Sequence, residues 1–162
     1  MVGTAAALPP LEAEIEVEAP VETVWRVVSD LRTMGERSPE TVRMVITRRP
    51  RVGSRGVNVN RRGAVVWPTT TRITRWKPPS HDGTAALAFH VGPTDVEWSY
   101  ELTPTDGGTR VVERRSSLPR PSPVVRWTAR YLLGGSEQHD VELLDGMHRT
   151  LAALKAQAES CR

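Results

Sequence analysis

The stretch LEAEIEVEAPVETVWRVVSDL, residues 11–31, decides the fold, because the hydrophobic period changes once within it. Ala13, Ile15 and Val17 alternate with Glu12, Glu14, Glu16 and Glu18. That two-residue period belongs to a strand with one buried and one wet face, the usual patterning of an antiparallel sheet. Pro20 ends the strand and suits the first turn of a helix. Beyond it, Val21, Val24, Trp25, Val28 and Leu31 recur at three- and four-residue spacing, which predicts a short amphipathic helix.

Working outward, Ser29, Asp30, Gly35, Ser38 and Pro39 break the helical pattern into a second, shorter piece at about Arg32–Glu36, bounded by the SPE turn of Ser38–Glu40. From Thr41 to Ser117 only strand and turn patterns occur. Strands are predicted at Thr41–Arg48, Arg55–Arg61, Val65–Lys77, Thr84–Val91, Thr94–Pro104 and Thr109–Ser117. The separators RPRVGS, RRGA, PPSHDG, GP and TDGG have the chemistry of turns joining antiparallel neighbours, so a meander is expected. PRPSP then marks a boundary. Val124, Val125, Trp127, Tyr131 and Leu132 begin a helical pattern that Gly134 and Gly135 interrupt, with a kink or break expected there. Ser136 can cap a new helix, with Glu137 in its first turn and Val141, Leu144, Met147, Leu151, Leu154 and Ala158 as its buried stripe.

The expected class is α+β: one strand, two short helices, six hairpin strands and a long C-terminal helix. A half-buried sheet of about seven strands must cover its apolar face, and only the long helix is large enough to do so. A curved sheet wrapped on one helix leaves its middle unfilled, so a cavity is expected between them. The chain of 162 residues, 38% hydrophobic, is long enough for one domain with its own core, placed at residues 12–159 between tails at 1–11 and 160–162.

The single cysteine, Cys161, allows no disulfide framework and no CxxC motif, which fits a reducing cytoplasm. No apolar run approaches the ~20 residues of a membrane span, and MVGTAAALPP lacks the basic region of a signal peptide, so no membrane insertion is expected. Net charge is +3, carried almost entirely by arginine; Lys77 and Lys155 are the only lysines. That bias suggests a high-GC bacterial genome and says nothing about function.

The order of elements resembles that of a known family. IEVEAPVETVWRVVSDL, the SPE turn, GVNVNRRGAVVW followed by TTTRITRW, FHVG, VEWSYELTP, GGTRVVE and the closing MHRTLAALKAQAE are similar to the polyketide cyclase/dehydrase branch of the START-like (SRPBCC) superfamily. The resemblance runs from about Glu12 to Glu159. It implies the helix-grip fold, with a hydrophobic small molecule held in the cup. Some such proteins are aromatic polyketide cyclases; others are lipid or polyketide carriers.

Alternation assigns the faces. If Trp67 points into the cup, so do Val65, Thr69, Thr71 and Ile73, while Val66, Thr70, Arg72 and Thr74 point out. The same rule turns Leu87, Phe89 and Val91 inward, then Val96, Trp98, Tyr100 and Leu102, then Thr109, Val111, Glu113 and Arg115. Pro68 cannot donate a ladder hydrogen bond, so a bulge or a sheet edge is expected there, and a bulge would flip the facing of Thr69 onward.

The expected ligand-binding set is Trp67, Thr69, Thr71, Leu87, Phe89, Trp98, Tyr100, Val111, Glu113 and His148, an apolar lining with a few polar groups. Glu113 admits two readings. A carboxyl on an apolar inward face has a raised pKa and can abstract a proton alpha to a ketone or protonate a departing hydroxyl; alternatively it is a structural partner of Arg115 at the cup mouth. Tyr100 either hydrogen-bonds an enolate or packs with its hydroxyl satisfied, and Trp67 and Trp98 either stack on a flat ligand or serve as core. His148 sits on or beside the helix stripe facing the cup. His90 on an outward face and His81 in a turn are expected to be solvated.

Glu137, His139, Asp140 and Glu142 cluster without HExxH spacing, so no metal site is expected, and no GxGxxG or GK[ST] sequence calls for a nucleotide cofactor. Arg48, Arg49, Arg51, Arg55, Arg61 and Arg62 form a basic concentration that raises single-stranded nucleic acid as a remote alternative. No nucleic-acid motif accompanies it, and none is expected as a partner. The sequence thus points to hydrophobic ligand binding by a monomer or homodimer. The alternative is a cyclase or dehydratase with Glu113 as acid/base and Tyr100 and Arg115 orienting or stabilising an enolate.

Overall fold

A computed structural model describes residues 10–93, 96–117 and 136–161. Strand β1 (Leu11–Val17) leads into helix α1 (Val21–Ser29), a 3-10 turn (Leu31–Thr33) and the single-turn helix α2 (Met34–Arg37). Strands β2 (Thr41–Ile46), β3 (Arg55–Arg62), β4 (Val65–Lys77), β5 (Ala85–Gly92), β6 (Val96–Thr105) and β7 (Gly108–Ser117) follow, then the 25-residue helix α3 (Ser136–Ser160). One antiparallel sheet holds all seven strands in the order β1-β7-β6-β5-β4-β3-β2. This is the helix-grip arrangement. The helical pattern of Val124–Leu132 and the break at Gly134 and Gly135 lie outside the described residues, as does the start of the sixth strand at Thr94.

Pro20 is the N-cap of α1, and its carbonyl accepts the amides of Thr23 and Val24 at 3.0 and 3.1 Å. Val21, Val24, Trp25 and Val28 form the buried face of α1, and Leu31 extends it. Each such side chain, fully withdrawn from water, contributes roughly 2 kcal/mol before entropy is counted. The glutamates of β1 face solvent, and two of them meet arginines across the strand pair: Glu14 with Arg110 and Glu12 with Arg114. Gly108 is required where β7 begins, because a Cβ there would lie 2.1 Å from the Val17 carbonyl oxygen of β1.

Of the two alternatives expected at Pro68 one holds, and the facing expected for Val65 is corrected. Pro68 pairs in register with Val59 and causes no bulge. Pairing with β5 starts only at Thr70, so Pro68 lies where β4 has one neighbour, and the edge reading is the one that holds. The bulge falls later, between Ile73 and Arg75. It reverses the alternation, turning Arg75 outward towards Glu101 and Trp76 inward, where its ring meets Trp25 edge-on at 5.2 Å. Val65, expected inside, is 50% exposed beside the hairpin turn.

The turn itself is Gly63–Ala64, with Gly63 at φ 58°, so Arg62 of the RRGA separator belongs to β3, as does Asn60. The Asn60 side chain points into the cup with that of Asn58. Asn58 Nδ2 donates to Thr69 Oγ1 (3.0 Å) and Thr71 Oγ1 (2.7 Å), and Asn60 Nδ2 donates to Thr69 Oγ1 (3.0 Å). Thr41 Oγ1 donates to Asn60 Oδ1 at 3.1 Å. This amide–hydroxyl ladder fastens β2, β3 and β4 on their inner face. Asn58→Ala is expected to lower stability by about 2 kcal/mol, because it strands the buried Thr71 hydroxyl and leaves Thr69 with Asn60 as its one amide donor. A urea titration that moves the midpoint without changing the slope would register it.

Helix α3 packs on β1, α1 and α2, and reaches β7. Met147, Leu151, Leu154 and Ala158 are buried, whereas Val141 is 71% exposed and does not belong to the stripe. Lys155 Nζ donates to the Glu16 carbonyl (2.7 Å), and Glu159 Oε1 accepts the Glu18 amide (2.8 Å). The C-terminal half of the helix thus closes the core on β1. Its N-terminal half stands over β3–β6 without filling the space beneath it. Among the described residues, no helix is long and apolar enough to cross a membrane.

Candidate functional site: a cavity between sheet and helix

The unfilled space is a cavity of about 590 Å³. Its aromatic wall comes from Phe89 on β5, and Trp98 and Tyr100 on β6. The opposite wall is polar: Asn58, Asn60 and Thr69, with Trp67 beside them towards the hairpin. Met34, Met44 and Met147 add flexible apolar surface, and Thr150 adds a hydroxyl. Charged side chains ring the mouth. Arg62, at the tip of the β3–β4 hairpin, is ion-paired with Glu142 of α3, while Glu40 and Arg115 stand nearby.

Seven sequence-predicted residues therefore line one cavity: Trp67, Thr69, Phe89, Trp98, Tyr100, Glu113 and Arg115. Three others lie beneath its wall. Leu87 and Val111 are wholly buried core, and Thr71 is engaged by Asn58. His148 is exposed, one residue past the buried Met147 and turned by about 100° from it onto the wet side of α3. His90 does lie on the outer face but is half-buried in a shallow groove, not solvated.

Glu113 is the buried carboxyl of the cavity lining, 2% exposed. It sits directly across the β6–β7 ladder from Tyr100, which sets the two side chains on one face. Tyr100 Oη donates to Glu113 Oε1 at 2.7 Å. Oε2 is equally buried and accepts no hydrogen bond among the described residues. Burial raises the Glu113 pKa to about 7, against the lowering effects of the Tyr100 hydrogen bond and the charge of Arg37. Burial, together with the neighbouring carboxyl, pushes the Tyr100 phenol well above its ordinary value, so it stays a proton donor.

The expected Glu113–Arg115 pair does not form. Both side chains point inward, but Arg115 stands nearer the mouth, where its acidic neighbours are Asp140 and Glu40, and burial lowers its pKa. The cation that acts on Glu113 is Arg37, which sequence reading passed over. It is 5% exposed, and Nη1 donates to the Val27 carbonyl (2.9 Å), Thr33 Oγ1 (2.8 Å) and Gln157 Oε1 (3.4 Å). Nη2 donates to the Asp30 carbonyl at 3.4 Å. Arg37 therefore caps the C-terminal end of α1 and holds α1, α2 and α3 together, while its charge lowers the Glu113 pKa. Asn58 and Asn60 were also passed over, although their alternation with Val57 and Val59 was the available signal. No cluster of potential metal ligands occurs among the described residues.

A family model described as polyketide cyclase/dehydrase and lipid transport matches residues 10–159. The chain belongs to that family. No curated protein matches it in sequence. Among solved structures it is similar to the di-domain ARO/CYC StfQ from the steffimycin biosynthetic pathway (TM-score 0.69, 18% identity over 93% of this chain and 50% of that one). The chain thus spans half the length of that protein. It is also similar to the Zhui aromatase/cyclase from Streptomyces sp. R1128 (TM-score 0.61, 18% identity, 93% of both chains). The Polyketide_cyc-like protein Cgl2372 from Corynebacterium glutamicum aligns at TM-score 0.62 and 23% identity, over 93% of this chain and 91% of that one. At these identities the likenesses establish the helix-grip, START-like fold of the family and not a shared ligand.

Proposed function

We propose that the protein binds a hydrophobic, aromatic or polyketide-like small molecule in the cavity between sheet and α3, with a hydroxyl of the ligand donating to Glu113 Oε2. The supporting observation is that buried oxygen without a partner, set at the end of a cavity with an aromatic wall. A buried acceptor left unmade costs about 1–3 kcal/mol, which a ligand hydroxyl would recover. The aromatic wall suits a flat ring, and the Asn58–Asn60–Thr69 wall suits ligand oxygens on the other side. Native mass spectrometry of protein purified from its own host should show a retained compound. Glu113→Gln should weaken it by about tenfold, since the ligand would then meet an N–H donor in place of an acceptor. Protein that carries no small molecule, and does not take up hydroxylated polycyclic aromatics, would refute this reading.

The raised pKa of Glu113 also favours a catalytic reading. A carboxyl poised near 7 can take the proton alpha to a ketone in an aldol ring closure, or give it to a departing hydroxyl in a dehydration. Tyr100 would orient that carboxyl, and Arg115 would offer charge to an enolate from the mouth side. Purified protein should then alter the products formed from a reactive poly-ketone. Identical products from wild type and Glu113→Gln would leave ligand carriage as the function.

A further inference from the structure

Between Thr41 and His81 the chain carries ten arginines and lysines and no aspartate or glutamate, against +3 for the whole sequence. The basic segment is not dispersed by folding, since it forms β2, β3 and β4, one end of the sheet. The outward row of β3 runs Arg55, Val57, Val59, Arg61; that of β4 runs Val66, Pro68, Thr70, Arg72; and β2 adds Arg43 and Val45.

Cross-strand registers align these rows. Val45 lies beside Val57 and Thr70, Arg43 beside Val59 and Pro68, Arg61 beside Val66, and Arg55 beside Arg72. The outcome is an apolar centre with arginines around it. Val45, Val57 and Val66 are 55%, 50% and 60% exposed. None of Arg43, Arg55, Arg61 and Arg72 forms an ion pair among the described residues, and the like pair Arg55–Arg72 is unfavourable unless an anion bridges it. The glutamates of the opposite edge, by contrast, already meet Arg110 and Arg114.

We infer that this outer face of β2–β4 is a docking surface for an anionic membrane. The valines and Pro68 would settle at headgroup level while the surrounding arginines engage lipid phosphates. The arrangement favours a bilayer over single-stranded nucleic acid, which would need aromatic platforms, and Trp67 and Trp76 of β4 both face inward. A second copy of this chain fits poorly. Pairing β2 edges, or stacking this face on itself, would bring arginines together. Arg61 and Arg62 carry the surface round to the cavity mouth, so a hydrophobic ligand could pass between bilayer and cavity without crossing bulk water. That last step rests on the ligand reading above, whereas vesicle binding does not depend on it.

Flotation of the full chain with vesicles tests the inference. Wild type should float with equimolar phosphatidylglycerol and phosphatidylcholine but not with phosphatidylcholine alone, and added salt should release it. Arg55→Glu with Arg72→Glu should weaken binding by at least about tenfold. Val57→Ser with Val66→Ser should weaken it less and leave its salt dependence in place. Arg26→Glu, on α1 at the concave side, should bind as wild type, and circular dichroism of each variant confirms folding. Failure to float with anionic vesicles overturns the inference, as does equal loss in Arg26→Glu and the Arg55/Arg72 double variant. Tighter binding to a single-stranded oligonucleotide than to the vesicles at the same salt also overturns it, in favour of nucleic acid. Uptake of hydroxylated aromatics, measured separately, is untouched by any of these outcomes.

Discussion

Glu113→Gln is expected to stabilise the protein by roughly 3 kcal/mol above pH 7 and to leave it close to wild type near pH 4. The folded carboxyl titrates at about 7, raised from 4.5 chiefly by burial. Between those values the folded state holds a proton that the unfolded state has released, so stability falls as pH rises through the window and stays low above it. Glutamine removes the charge and keeps an oxygen for the Tyr100 hydroxyl, which now donates at 2.7 Å. The difference between variant and wild type should therefore grow with pH and then level off. Urea titrations across the range would show it, and a difference independent of pH would mean that the carboxyl ionises as in water. If the cavity is catalytic, the same group should appear as an inflection near neutrality in the pH–rate profile.

Arg37→Met should cost at least about 3 kcal/mol, whereas the change would be neutral or favourable if only buried hydrophobic area counted. Methionine fills much of the same space, yet it donates nothing to the carbonyls of Val27 and Asp30, the side chain of Thr33 or Gln157. Those acceptors would be left at the buried end of α1. A second consequence distinguishes this residue from a merely structural one. Its charge lowers the Glu113 pKa, so its loss should move the pH window of stability upward. Adding Glu113→Gln to Arg37→Met should abolish that shift while leaving the carbonyls unsatisfied. If the window stays in place, Arg37 acts only as a cap.

Both residues show where local patterning suffices and where it fails. Glu113 was legible because the inward row of β7 (Thr109, Val111, Glu113, Arg115) follows from a two-residue period, and facing needs nothing beyond the strand itself. Its partner was not. Arg115 has the nearer position in sequence, but the Tyr100 hydroxyl is opposite on the ladder and Arg37 arrives from a single-turn helix some seventy positions earlier. Charge partners are set by distance in three dimensions, and a break such as SDLRTMGERSPE carries no period from which to infer burial.

The helix and strand β4 repeat the lesson. His148 looked inward because three- and four-residue spacing tolerates neighbours of the true stripe; only the docking of α3 on β1 shows that Met147 and Leu151 take the buried side. In β4, Pro68 announced an irregularity visible in sequence, yet the sheet accommodates it where β5 has not begun to pair, and places its bulge at Ile73–Arg75. What the sequence determined by itself was the order of elements, the antiparallel class, most inward rows and a carboxyl among apolar neighbours, because these depend on periods of two and 3.6 residues. Tertiary structure alone decided which rows border empty space, where alternation reverses, and that the charge of Arg37 acts on Glu113 while the arginines of β2–β4 gather on one outer face, because each depends on strand register and on how the helices pack against the sheet.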